Sequence, residues 1–415
     1  MKTDQKHSVV LRVLLAVLLA GSCIFGFTLF LQYHSNNALP VASALSSEMV
    51  PSSSSAPEAS VSAESKPEPK TASITILSVG DDLIHDVIYL QAGSRAGGKG
   101  YNFHPVYEQI EKDIKDADIS MINQETPIAG KVAPPSGYPR FNSPTQLGDE
   151  LVNLGFDVIN HANNHVLDMN EKGLAATLDY WATKPTVKVI GAYRDNEDLQ
   201  NIRVIEAKGI KTAYIGITEM TNGLSLPKGS KYQLIYASNT QLIEQQIKKA
   251  KSIADVVVAS VHWGNENTTT LTDKQTTLAQ NLVDWGADII FGSHPHVLQK
   301  LTVLNRKDGT KCPVIFSLGN FVSAQQDGPN MISGILKVTM TKNFDTNQTV
   351  FTDMKFKPTV TQYGKRCANI TIYPLSKYSD TLAAAHGIRR FVPNFNVSYI
   401  HKIVDQSIPK EYQSN

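Results

Sequence analysis

Between Ile74 and Ser317, short runs of β-branched and aliphatic residues alternate with stretches whose apolar positions recur every three or four residues. The runs Ile74–Val79, Ile119–Ile122, Asp157–Ile159, Val187–Ile190, Thr212–Ile217, Val256–Val261, Ile289–Phe291 and Val314–Ser317 predict strands. Glu171–Trp181, Gln241–Ile253 and Asp273–Trp285 carry the helical period. Alternating strand and helix units predict an α/β domain whose sheets are buried under helices. After Asn330 the pattern turns to strands, at Ser333–Thr341, Val350–Lys357 and Asn369–Tyr373, which adds β structure to the same domain. The last forty residues show no clear pattern, and no internal repeat is visible.

The N-terminal pattern is different in kind. Val13–Leu31 is nineteen residues without a charge. At about 1.5 Å per residue this matches the hydrocarbon thickness of a bilayer. Lys2, Lys6 and Arg12 precede it, so the positive-inside rule predicts a cytoplasmic N-terminus and an external remainder. A cleaved signal peptide would have a shorter apolar stretch ending in small residues, whereas Phe25–Leu31 stands in that place here. Ala20-Gly21-Ser22-Cys23 is a weak match to a lipoprotein cleavage site. A tract rich in Ser, Pro, Ala and Glu follows; it has too little apolar surface to offset its ordering entropy. The expected layout is a cytoplasmic tail at 1–8, one transmembrane anchor at 9–32 and a disordered linker at 33–72. A domain at 73–330 and its β-rich extension at 331–415 then lie outside the cell membrane.

Composition narrows the function. The 415 residues carry 39 basic against 38 acidic side chains, and so lack the basic excess of a nucleic-acid-binding protein. Three cysteines exclude a disulfide scaffold. Cys312 and Cys367 fall in the external part, where they either pair or stay separate thiols.

Candidate chemistry collects where the predicted strands end, which is where α/β folds place their sites. After the first strand comes Gly80-Asp81-Asp82, with His85 close behind; after the second, Asn123-Gln124-Glu125. The third leads into Asn160-His161-Ala162-Asn163-Asn164-His165. Later strands lead into His262-Trp263-Gly264, Gly292-Ser293-His294-Pro295-His296 and Leu318-Gly319-Asn320-Phe321. Each has a plain alternative: Asp81 as a turn residue, Asn123 or Glu125 as a cap, the asparagines as loop hydrogen-bonders, His262 as a core histidine. Yet six of the eleven histidines (His85, His161, His165, His262, His294, His296) sit in these few turns. Imidazole and carboxylate together suit Zn, Fe or Mn better than Ca or Mg. His294 and His296 are expected to project from the same side of an extended segment stiffened by Pro295.

Ala162-Asn163-Asn164-His165, Gly292-Ser293-His294-Pro295-His296 and Ser317-Leu318-Gly319-Asn320-Phe321 resemble, in order, the CapA family of bacterial capsule-synthesis proteins associated with poly-γ-glutamate. The resemblance covers about residues 74–325. That family is similar to the calcineurin-like metallophosphoesterases, which implies a four-layer αββα sandwich and a site holding two divalent metal ions. Carried over residue by residue, it implies metal ligands at Asp81, Glu125, Asn164, His262, His294 and His296, with His165 as acid or transition-state donor. His85 is a further candidate ligand; Asn123, Asn163 and Asn320 are candidates for substrate contacts or for supporting the ligands. Three positions depart from the parent pattern: Leu83 replaces a histidine, Glu125 replaces an aspartate, and Val166 replaces an acid beside His165. Two functions follow from the resemblance. One is a metal-dependent hydrolase acting in capsule assembly, export or anchoring. The other is a non-catalytic partner of a membrane capsule synthase, either a scaffold or a binder of an anionic polymer such as poly-γ-glutamate, for which Lys355, Lys357, Lys365 and Arg366 form a candidate basic face.

Overall fold

The computed structural model describes residues 70–414. The expected tail at 1–8, the anchor at 9–32 and nearly all of the linker lie outside the described residues. Among the described residues, no helix is long and apolar enough to cross a membrane.

Among the described residues, fourteen strands form a mixed α/β sandwich of two sheets. The first sheet contains β1 (Thr71–Asp82), β2 (Ile119–Gln124), β3 (Val158–Asn160) and β4 (Lys188–Ile190), all parallel. The second contains β5 (Arg203–Ala207), β6 (Ile210–Thr218), β7 (Val256–His262), β8 (Ile289–Ser293), β9 (Leu301–Asn305) and β10 (Lys311–Ile315), in the order β5-β6-β7-β8-β10-β9. The chain then returns to the first sheet through β11 (Asn320–Val322), β12 (Ile332–Asn343), β13 (Gln348–Gln362) and β14 (Thr371–Pro374), giving β14-β13-β12-β1-β2-β3-β4 with β11 beside the end of β1. The longer helices are α1 (Asp86–Arg95), α2 (Thr145–Leu154), α3 (Asn170–Ala182), α4 (Thr240–Ile253), α5 (Asp273–Trp285) and α6 (Val397–Ser407).

Every residue of β2, β7 and β8 is buried, as expected of parallel strands covered on both faces. Their two faces have different neighbours. Val257, Ala259 and Val261 of β7 pack with Ile243 and Ile247 of α4 and Leu278 and Leu282 of α5. Val256 and Val258 join the core that contains Ile76, Met121 and Val158 of the first sheet. Each such aliphatic side chain contributes about 1.5–3 kcal/mol on full burial. The period of two therefore turns His262, at the end of β7, toward the first sheet. The capping box between Thr272 and Gln275 sets the start of α5.

All eight strand runs read from the sequence up to Ser317 overlap observed strands, and so do the three beyond Asn330. β1 begins at Thr71, two residues inside the expected linker, because Thr71 and Ala72 pair with Asn343 and Lys342 of β12. The C-terminal segment is integral rather than appended, since β12 lies directly beside β1. Its last forty residues hold α6 and short helical turns. Cys312 and Cys367 are both buried free thiols, the first on β10 and the second after β13.

Glycines let backbones meet at the end of β1. A Cβ on Gly80 would lie 1.9 Å from the carbonyl oxygen of Gly319, whose neighbour Asn320 starts β11. Gly80→Ala is therefore expected to destabilise the fold by about 3 kcal/mol through overpacking. Gly97→Ala meets no atom within 4 Å at φ +62° and should cost only about 1 kcal/mol of backbone strain. Urea midpoints of the two variants measure the contrast, and equal midpoints would refute the close approach.

Candidate metal centre

The strand ends converge on one buried cluster. At the close of β1 the alternation of side chains separates two adjacent acids. Asp81 enters the cluster, whereas Asp82 accepts the Tyr107 hydroxyl at 2.7 Å. Burial pushes the Asp82 carboxyl up to about 7, against the pull of the Tyr107 hydrogen bond. Asn123 from β2 donates Nδ2 to Asp81 Oδ1 at 2.7 Å, and its own Oδ1 accepts from Asn160 Nδ2 at 3.0 Å. Glu125 follows β2, and the turn after β3 brings in Asn164 and His165.

His294 and His296 reach the cluster differently from expectation. They do not lie on an extended segment, because their φ angles are +97° and +59°. Such left-handed conformations in non-glycine residues cost about 1–3 kcal/mol each and collect at functional sites. The turn aims both rings inward, and the His294 N–H donates to Asp81 Oδ2 at 3.2 Å.

The resulting contacts bring acceptors together. His262 Nε2 lies 3.0 Å from Asn164 Oδ1, 3.1 Å from His294 Nδ1 and 3.6 Å from Glu125 Oε1. Its other nitrogen faces Ser293 Oγ at 2.9 Å, the outer hydrogen bond that metal-ligating histidines characteristically make. His296 Nδ1 lies 3.2 Å from Asp81 Oδ2, and its Nε2 is 3.9 Å from Glu125 Oε1. Both carboxylate oxygens of Glu125 and the Asn164 amide nitrogen are buried without any hydrogen-bond partner.

Protonation alone satisfies this cluster poorly. Burial, reinforced by the Asp81 charge, drives the Glu125 carboxyl well above its ordinary range. Burial and the neighbouring imidazoles hold His262 well below 6.5 and His294 at about 3. For His296 burial opposes the charge, but the Glu125 and Asp81 carboxylates outweigh it and lift the ring to about 9. The donor set of two carboxylates, an amide oxygen and three imidazoles fits Mn, Fe or Zn. Two groups of ligand atoms, each within 4.8 Å, are Glu125–His262–His294 and Asp81–Glu125–His296. They share only Glu125, whose Oε1 faces both His262 Nε2 at 3.6 Å and His296 Nε2 at 3.9 Å.

His165 stands beside this cluster with a partner that sequence reasoning missed. Its Nδ1 is 2.8 Å from Asp168 Oδ2, and both side chains are buried. Asp168 also accepts the Phe141 backbone N–H at 2.7 Å, and the Phe141 ring meets His165 edge-on at 4.7 Å. Val166 stands where an acid was expected, and it packs with Leu167 and Leu174. Asp168 supplies the acid three residues after His165 instead, a spacing that was legible in the chain.

The supporting residues divide clearly. Asn163 donates Nδ2 to the Gln124 carbonyl at 3.1 Å and accepts the His165 N–H at 3.1 Å, which fixes the turn. Asn320 sits in register beside Asp81 but donates to Gln325 Oε1 at 2.7 Å. His85 does not join the ligand groups. Its Nδ1 is held among backbone groups, 3.1 Å from the Leu83 carbonyl and 3.3 Å from the Ala324 N–H, and burial lowers its pKa to about 4. His161 is also apart, buried 6.1 Å from the Trp181 ring. Glu266, unremarked in the sequence, completes a third group with His294 and His296.

Residues 75–325 match the family model described as "Bacterial capsule synthesis protein PGA_cap". A "PGA biosynthesis protein CapA" from Bacillus subtilis (strain 168) is 34% identical over 195 residues, 46% of this chain and 49% of that protein. A "Capsule biosynthesis protein CapA" from Bacillus anthracis is 32% identical over 236 residues, 54% and 55% of the two chains. The chain thus spans about half the length of the curated relatives it matches. Among solved structures, the NAD nucleotidase NadN of Haemophilus influenzae aligns over 81% of this chain and 60% of its own, with 13% identity and a TM-score of 0.43. At that level the likeness says nothing of activity.

Two outcomes test this geometry. Saturating Mn²⁺ or Zn²⁺, at about 100 times the dissociation constant, should stabilise chelator-treated protein by about 2.7 kcal/mol per site. Glu125→Gln should lose most of that gain in thermal melts; a wild type whose melting temperature ignores Mn²⁺, Fe²⁺ and Zn²⁺ alike rules the centre out. Asp82 is the second case. It keeps its proton to about pH 7 when folded but only to about 3.8 when unfolded, so its contribution turns unfavourable as pH rises between those values. Asp82→Asn should therefore gain more stability over wild type at pH 8 than at pH 4, read from urea midpoints.

Proposed function

This chain belongs to the bacterial capsule synthesis family PGA_cap, and on that premise we propose that it hydrolyses a phosphoester during the assembly, export or anchoring of an extracellular polymer such as poly-γ-glutamate. The observation that carries the catalytic reading is the buried Glu125 carboxylate, unpartnered between two ligand groups. Asp81, Glu125 and His296 would hold one divalent ion, and Glu125, Asn164, His262 and His294 the other. Two such ions would acidify a bound water and clamp the attacking and leaving oxygens.

The chain's own residues supply the rest. With Nδ1 committed to Asp168, His165 has Nε2 free to carry a proton to a leaving oxygen. The edge contact with Phe141 and the Asn163 hydrogen bond hold that ring in place. Asn123 orients Asp81 by donating to one oxygen, which leaves the other facing His296. In this reading the charge-free run Val13–Leu31 anchors the chain in the membrane, with the domain outside and beside a polymer synthase.

The purely polymer-binding alternative has less support from the surface. Two members of the candidate basic face are neutralised, Lys357 by Asp113 at 2.6 Å and Lys355 by Asp353 at 3.6 Å.

Hydrolysis of bis(4-nitrophenyl) phosphate by Mn²⁺-loaded protein tests the proposal. His294→Ala/His296→Ala should lose both metal and turnover, whereas Asp168→Asn should keep its metal and lose about 100-fold in kcat. A folded, metal-loaded wild type inert toward phosphomonoesters and phosphodiesters would overturn the enzyme reading and leave polymer binding.

A further inference from the structure

The third ligand group differs from the other two in its exposure. Glu266, His294 and His296 offer atoms within 4.8 Å of one another, but Glu266 is exposed while both histidines are buried. His296 is buried with Nδ1 directed at Asp81 Oδ2, 3.2 Å away. The loop that carries Glu266 is held at the next residue, Asn267. The Asn267 N–H donates to the Pro295 carbonyl at 2.9 Å, and Asn330 Nδ2 donates to Asn267 Oδ1 at 2.7 Å. Glu266 thus stays opposite the His294-Pro295-His296 turn.

The shared rings set the order of events. His294 also belongs to the group with Glu125 and His262, and His296 to the group with Asp81 and Glu125. An ion held by Glu266 with both histidines draws on rings that the inner pair also needs. Outer and inner positions are therefore filled in succession rather than together.

We propose that Glu266 is the cation-loading carboxylate of this centre. It catches a divalent ion at the solvent-facing rim together with His294 and His296, and the ion passes inward as Asp81 or Glu125 replaces Glu266. The inference rests on the two-metal reading and deepens it. A carboxylate at the mouth of a buried cluster raises the local cation concentration and offers the first exchange of a water for a protein oxygen.

The test uses the full-length protein and Glu266→Gln, both stripped with EDTA and mixed with Mn²⁺ in a stopped-flow cell against a fluorescent chelator. Bound Mn²⁺ is counted separately at equilibrium. Glu266→Gln is expected to load about tenfold more slowly and to finish with the same number of ions as wild type. Glu266→Asp, which keeps the charge, should recover most of the rate. Equal loading rates in wild type and Glu266→Gln would overturn the proposal while leaving the two-metal reading intact. A Glu266→Gln protein that ends with one ion fewer would also overturn it, because Glu266 would then be a standing ligand. Wild type that takes up no Mn²⁺, Fe²⁺ or Zn²⁺ would overturn both.

Discussion

A carboxylate buried without a hydrogen-bond donor is among the least favourable things a fold can contain, and Glu125 is one. Nothing nearby offers it a proton-bearing partner at hydrogen-bonding distance. Around it stand the Nε2 atoms of His262 and His296, at 3.6 and 3.9 Å, with Asn164 Oδ1 beside the first and the Asp81 carboxylate beside the second ring. Such an arrangement is unfavourable in isolation and becomes favourable around a cation. The distances of 3.0 to 3.2 Å between neighbouring donor atoms match the spacing of adjacent ligands on one ion.

The sandwich exists to bring those groups together. Parallel strands in both sheets deliver their C-terminal ends to one edge, so β1, β2 and β3 face β7 and β8 across the core. Period-two alternation sorts what each end presents. It sends His262 inward and splits Asp81 from Asp82, one to the cluster and one to Tyr107. The continuous burial of β2, β7 and β8 supplies the stability against which a strained His294-Pro295-His296 turn and an unpartnered acid can be tolerated.

Much of this was legible in the chain. The central strands announced themselves because burial on both faces requires unbroken apolar runs, and the site announced itself because histidines crowded the turns that follow them. The rest was hidden for physical reasons. β5 and β9 are half-exposed edge strands, and β11 has only three residues, so none carries a strong pattern. The left-handed backbone at His294 and His296 has no signature in side-chain type. His85 has the chemistry of a ligand, but its ring nitrogen lies among backbone groups, which no spacing reveals. Asp168 was within reach of a reading that allowed one turn between a histidine and its acid.

The pairing of β12 with β1 has a consequence for the order of construction. Ser73 meets Thr341 across a gap of 268 residues, and β1 is flanked on its second side only when that late strand arrives. Contacts of such separation fold slowly, because a long loop must close before any pairing energy is gained. The strand that carries Asp81 is among the first made and among the last to be enclosed. A chain emerging in sequence therefore keeps its central sheet open beside β1 until β12 has been made.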